Sequence, residues 1–344
     1  MGGCGAEFAQ PDGYWIPETI IGSLAVLANG TVLFVMLFGQ IKTSSTNIFI
    51  ANLATVDFLT GAMIILFKAL PNVDSPQNGS WLWLYCRLYC SELPLWFLIN
   101  VSVMNLCLIT LDRYLSVARP LYHKNYFSRN SSLALHVAII WTLGLAVSSY
   151  NLFLWVIKSE DEDDGDDGDG AMCEVSRALP SWFWVATGFW TLFGMLLFPF
   201  MFMLVVYVHI YNILLQMPIN IKGKRSQLRI TVSCFMLLAV FLFCWLPDQT
   251  FFFMYSIQPL GIHLHLHSIL YRAVVNLGFT NSFCNPFLYS FLNPTFKKAF
   301  RKLVFRCRAC RTGSRNRPFN THNDLTLSSL HTSADTVDQT SAQM

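Results

Sequence analysis

Charged residues are scarce in this chain. They make up 12% of its 344 residues, where a soluble domain carries about 25%, so a water-facing surface of ordinary composition is excluded. No cleavable leader is expected, because the first apolar run begins near Ile16 and is long enough to remain as a span. Internal repeats are missing and the apolar runs do not divide into related halves, which argues against a transporter. No catalytic dyad or metal cluster falls within the runs, so no enzymatic site is expected. The alternation His263, His265, His267 lies in a connection, and residues two apart share a side only on a strand.

What the chain has instead is apolar length. Hydrophobic residues reach 54%, with 29 Phe. A helix needs roughly 20 mostly apolar residues to cross the hydrocarbon core. Such stretches occur at about 17–39, 46–70, 88–118, 133–157, 181–215, 226–257 and 267–291. The fold expected is therefore an all-α integral membrane bundle of seven transmembrane helices. Basic residues mark one set of connections: Lys42, Arg119, Lys124 and Arg129, then Lys222, Lys224 and Arg225, then Lys297 to Arg311. The alternate connections carry Asp74 and the acidic run Glu160–Asp169. The positive-inside rule then puts the N-terminus outside the cell and the C-terminus in the cytoplasm.

The informative residues are the polar exceptions inside these runs. Asp57 sits mid-span, where a carboxylate costs about 2.5–3.5 kcal/mol on insertion scales and marks a functional candidate. Asn29, Ser102, Asn281 and Asn285 supply polar partners in other spans, and Pro199, Pro247 and Pro286 interrupt the fifth, sixth and seventh. Each of these prolines frees a backbone carbonyl that neighbours must satisfy.

In order along the chain come Asn29; Asn52 and Asp57; Asp112-Arg113-Tyr114; Trp141; Pro199 and Tyr207; Phe241 to Pro247 around Cys244-Trp245; and Asn281 to Tyr289 around Asn285-Pro286. This series resembles the rhodopsin-like (class A) G-protein-coupled receptors, of the peptide-receptor type, from about Ile16 to Phe305. The resemblance implies an extracellular N-terminus (1–16), a receptor domain with a short amphipathic eighth helix near Phe296–Phe300 (17–305), and a disordered cytoplasmic tail (306–344). It implies a multi-pass plasma-membrane protein, in contact with membrane lipids, that binds an extracellular ligand and activates a heterotrimeric G protein. Arrestin would join after phosphorylation of tail residues such as Thr326 and Ser328. No nucleic-acid partner is expected.

The family's roles carry over residue by residue. Asp112 would hold Arg113 at rest; on activation Arg113 would swing to Tyr207 and the G protein, with Tyr114, Asn285, Pro286 and Tyr289 in the coupling machinery. Gln227 stands where the family often has an acid, so the resting lock would be weaker. Trp245, beside Pro247, resembles the toggle at the cavity floor, with Val103, Pro199 and Phe241 as its relay. Asp57, Ser102, Asn281, Asn285 and Asn29 resemble an allosteric sodium site, the alternative being a protonated Asp57 without an ion. No other cofactor is implied.

The family also ties the outer third helix to the second extracellular loop by a disulfide. Cys173 is the loop candidate, and Cys86 and Cys90 compete on the helix. Neither has the commonest spacing from Arg113. Cys86 is preferred as nearer the membrane surface, leaving Cys90 to pair with Cys4 or stay free. Asn78 is a glycosylation acceptor, and Cys307 and Cys310 are palmitoylation candidates or plain thiols.

For the ligand, the amine receptors' third-helix Asp is replaced by Leu95, and the photoreceptors' Lys by Phe279. Polar residues in the outer halves, Lys68, Glu92, Asp248, Gln249 and Arg272, together with Leu95 make the expected ligand site. A wide cavity of mixed charge suits a peptide. A lipid, another small molecule, or a decoy role is the alternative. The acidic run is either a solvated loop or a steering field for a cationic peptide.

Overall fold

Backbone that enters hydrocarbon finds no water to bond, so a long apolar run must close its own hydrogen bonds as a helix. The computed structural model describes residues 15–39, 44–69, 76, 79–158, 172–175, 179–218, 224–257, 268–292, 296 and 298–302. Contacts divide the chain into one unit, Met1–Phe300, and a second, Arg301–Met344, of which only two residues are described.

Among the described residues of the first unit, six helical stretches are long and apolar enough to cross a membrane: Trp15–Phe38, Ser45–Lys68, Gly79–Ala118, Asn130–Leu154, Ser181–Gln216 and Phe235–Ile257. A seventh long helix, Ile269–Leu292, packs against the sixth, the first and the second. The third helix touches the second, fourth and fifth, which makes it the centre of the bundle. The surface inverts a soluble protein's: Leu37 is 77% and Phe198 72% exposed, while Asp57, Thr60 and Asn105 are 0% exposed. A lipid-facing wall explains that inversion.

Two boundaries differ from the sequence reading. The third span begins at Gly79, ahead of the expected 88, because Tyr85–Cys90 continues it as a π-helix. The fourth ends at Leu154, and residues 155–157, counted within that span by apolarity, belong to strand β1, Trp155–Lys158. It pairs antiparallel with β2, Met172–Val175, setting Ile157 opposite Cys173. Of the expected eighth helix, Phe296 and residues 298–300 are described; the tail, the acidic run, Asn78, Cys307 and Cys310 lie outside the described residues.

Pro199 shows how a sequence exception becomes geometry. Its missing N–H cannot continue the α pattern, and the preceding turns, Trp190–Leu197, are wound as a π-helix. Between the first and second helices, contact is backbone to backbone. A Cβ on Gly61 would lie 2.8 Å from the Gly22 carbonyl oxygen and 2.8 Å from the Ala25 Cβ. Gly61→Leu should therefore lower the thermal stability of the purified protein by about 1–3 kcal/mol, read as a fall in unfolding temperature in detergent.

Candidate functional site

The disulfide end of the bundle is organised by a break in the third helix. Among the described non-glycine residues, Glu92 has a positive φ, 52°, and Pro94 follows at the start of the restarted helix Leu93–Ala118. Left-handed backbone here costs roughly 1–2 kcal/mol, so neighbouring bonds must hold it. Ser91 Oγ donates to the Arg87 carbonyl and accepts from the Leu93 N–H at 3.2 Å. Lys68 Nζ reaches across from the second helix to Glu92 Oε1 as an ion pair. The π-turns and the break absorb the unusual spacing of the cysteines. Cys86 is bonded to Cys173 with Cα atoms 5.4 Å apart, and Cys90 is also disulfide-bonded.

Below the hairpin lies a cavity of about 230 Å³. Its rim carries Glu18, Lys68, Glu92 and Arg272, and its depth carries Asp248, Gln249 and Asn100. Trp96, Val103, Phe241 and Trp245 form the apolar floor. The Trp96 ring lies 6.4 Å from that of Trp245 and 6.3 Å from that of Phe279. A Cβ on Gly278 would meet the Trp245 ring at 2.9 Å, so only glycine lets the indole lie against the seventh helix there.

Beneath the floor, Asp57 joins three helices. Its Oδ1 accepts from Ser102 Oγ at 2.8 Å, and its Oδ2 from Asn285 Nδ2 at 2.8 Å. Asn29 Nδ2 donates to the Ser282 carbonyl at 2.9 Å and ties the first helix to the seventh. Asn281 is buried nearby in sequence, but no bond joins it or Asn29 to Asp57.

At the opposite end, Asp112 is fully buried and bonded away from its neighbour Arg113. Thr46 Oγ1 donates to Asp112 Oδ2 at 2.5 Å, and His123 Nε2 lies 2.8 Å from Asp112 Oδ1. Tyr207 shares a 2.7 Å hydrogen bond with Thr110.

Residues 28–289 match the model of the 7 transmembrane receptor (rhodopsin family). The chain belongs to the rhodopsin family of seven-transmembrane receptors. It is 28% identical over 311 residues to the QRFP-like peptide receptor of Branchiostoma floridae, covering 85% of this chain and 77% of that one. It is 27% identical over 281 residues to the histamine H2 receptor of Cavia porcellus, covering 79% and 73%. The tachykinin-like peptides receptor 99D of Drosophila melanogaster matches at 26% over 329 residues, 89% of this chain and 60% of that receptor. The protein is thus a multi-pass membrane receptor and not an enzyme.

In this receptor the cavity gathers Lys68, Glu92, Asp248, Gln249 and Arg272, as well as Trp245, Val103 and Phe241, which the family resemblance marks as toggle and relay. Leu95 is the exception. It is fully buried and does not line the cavity, where its neighbour Trp96 does. Each residue turns about 100° around a helix axis, so Trp96 shares the cavity face of the unbroken helix Leu93–Ala118 with Ile99, Asn100 and Val103, and Leu95 does not. The expected Asp112–Arg113 lock is also corrected: the Asp112 carboxylate is engaged by Thr46 and His123. Tyr289 lies in the seventh helix, its side chain outside the described set.

Three participants escaped the sequence reading. Glu18, an acid inside the first apolar run, was visible there as an exception. Asn100, which donates to Ser148 Oγ at 2.8 Å, and His123 belong to no motif. Cys86→Ser should leave Cys173 reactive to a maleimide and lower stability by about 2–4 kcal/mol; unchanged labelling would contradict the bond.

Proposed function

We propose that this receptor binds a peptide at the disulfide end, outside the cell, and activates a heterotrimeric G protein at the cytoplasmic, Arg113 end. The loop charges support that orientation. The observation that carries the reading is the series of buried polar contacts between the two ends. The second, third and seventh helices, which meet at Asp57, also supply Lys68, Glu92 and Arg272 to the cavity. A ligand that shifts these helices relative to one another therefore acts on the Asp57 bonds. Farther along lie Thr110 with Tyr207, and Asp112 with Thr46 and His123. Arg113, with Tyr114, Tyr207, Asn285, Pro286 and Tyr289, receives the G protein. The eighth helix follows, with Cys307 and Cys310 as lipid anchors, and the phosphorylated tail recruits arrestin.

The two acids and two bases at the rim favour a peptide over a lipid. Relatives named for peptides agree with this. A cavity of about 230 Å³ has room for a peptide's terminal residues, the rest lying on the hairpin. The second reading is a small amine, favoured by that size and by the relative named for histamine; against it, Leu95 offers no carboxylate. Expressed with G-protein dissociation sensors, the receptor should respond to members of a neuropeptide library. Responses confined to small molecules would overturn the peptide reading.

Sodium fits the Asp57 site. Its oxygens are those of a buried carboxylate, a hydroxyl and an amide, suited to a hard cation, and no basic group pairs with Asp57. Raising sodium should weaken agonist binding about fivefold or more, and Asp57→Asn should remove that dependence. An equal sodium response in both proteins would rule the ion out.

A further inference from the structure

Asp248 lines the cavity with no ion pair among the described residues, as does Glu18 of the first helix. It is 2% exposed, and its hydrogen bond is from Gln249 Nε2 to Oδ2 at 2.9 Å. Among the described residues, ion pairs join Lys68 to Glu92 at the rim and His123 to Asp112 at the far end. Gln249 spends its amide nitrogen on Asp248, which leaves Gln249 Oε1 buried without a donor. Two acceptors therefore stand side by side, one of them charged, at the deep end of the cavity. Burying a carboxylate without a cation is costly, and a neighbouring acceptor adds to the demand for N–H donors.

The aromatic walls fit the same occupant. Trp245, Trp96 and Tyr271 line the cavity with Asp248, and ring faces attract cations. Trp245 Nε1 is also buried without an acceptor, so an acceptor atom elsewhere on the ligand has a place too. Asp57 makes the contrast plain: two donors from other helices satisfy it, whereas Asp248 receives one bond from its own neighbour.

We propose that Asp248 and Gln249 form a cation subsite that takes the ammonium or guanidinium group of the ligand. This rests on reading the cavity as the ligand site. The group comes either from a small amine or from a peptide's basic residue or terminus, and the two sources are separable.

Two probe sets serve, with binding read as thermal stabilisation of the purified receptor. One is tyramine and tryptamine with their N-acetyl counterparts. The other is five-residue peptides bearing arginine at the first, middle or last position, with citrulline counterparts. At least one cationic probe should bind, and its neutral counterpart about a hundredfold more weakly. Asp248→Asn should weaken the cationic probe by a similar factor and abolish the difference between the pair. Without ligand, the same variant should unfold at an equal or higher temperature, since it removes an unpaired buried charge. Gln249→Leu, which keeps the carboxylate, should weaken the cation less than Asp248→Asn.

Binding by amines alone, lost in Asp248→Asn, supports the subsite and removes the peptide reading. Peptide binding that survives Asp248→Asn keeps the peptide reading and overturns the subsite. No binding by any cationic probe overturns it as well.

Discussion

Within a membrane a polar side chain has no water to fall back on, and Asp57 is where this bundle meets that constraint most directly. Its carboxylate takes one donor from the third helix and one from the seventh, so three helices must keep register for a single side chain to be satisfied. Asn29 extends the same tie to the first helix through the Ser282 carbonyl. Apolar contacts give these helices little preference for one another over lipid tails. Close packing at Gly22 and Gly61 and polar bonds in the centre therefore set how they sit. Any movement that separates the third and seventh helices must exchange these bonds for others, which makes the Asp57 region a natural place for discrete states.

The disulfide end solves a different problem. The third helix is longer than the membrane requires and carries its cysteines out of the usual phase. A regular helix would hold that phase all the way down. The π-turns at Tyr85–Cys90 and the left-handed Glu92 reset it, and the Lys68 ion pair anchors the reset to the second helix. The reset also fixes which side chains reach the cavity, so the covalent staple to the hairpin and the composition of the binding surface depend on one local distortion.

That distortion marks the limit of what sequence could give. Long apolar runs and intramembrane exceptions such as Asp57, Pro199 and Asn285 were legible because hydrocarbon tolerates so few of them. Helix phase was not. The resemblance to amine receptors made Leu95 a ligand-site residue, whereas Trp96 lies on the helix face that lines the cavity. Apolarity likewise ran the fourth span into residues 155–157, because a hairpin strand and a helix end can share a composition. Asp112 was placed correctly at the end of its helix, but its partner was read from the adjacent residue. The actual partners, Thr46 and His123, lie 66 and 11 residues away. Motif reading sees neighbours in the chain, and a carboxylate bonds to neighbours in space.

At the cavity floor the freedom of Trp245 is one-sided. Gly278 lets its ring lie directly against the seventh helix, with no room for a further atom between. Trp96 flanks it on the cavity side at a centroid distance of 6.4 Å, within the loose range of aromatic contacts. Displacing the indole toward the seventh helix would push the backbone near Asn281 and Asn285, the latter bonded to Asp57. Displacing it toward the cavity needs only rearrangement of side chains. On the proposed reading, a ligand held deep in the cavity would control the softer of the two directions, and the stiff one would transmit to the Asp57 bonds.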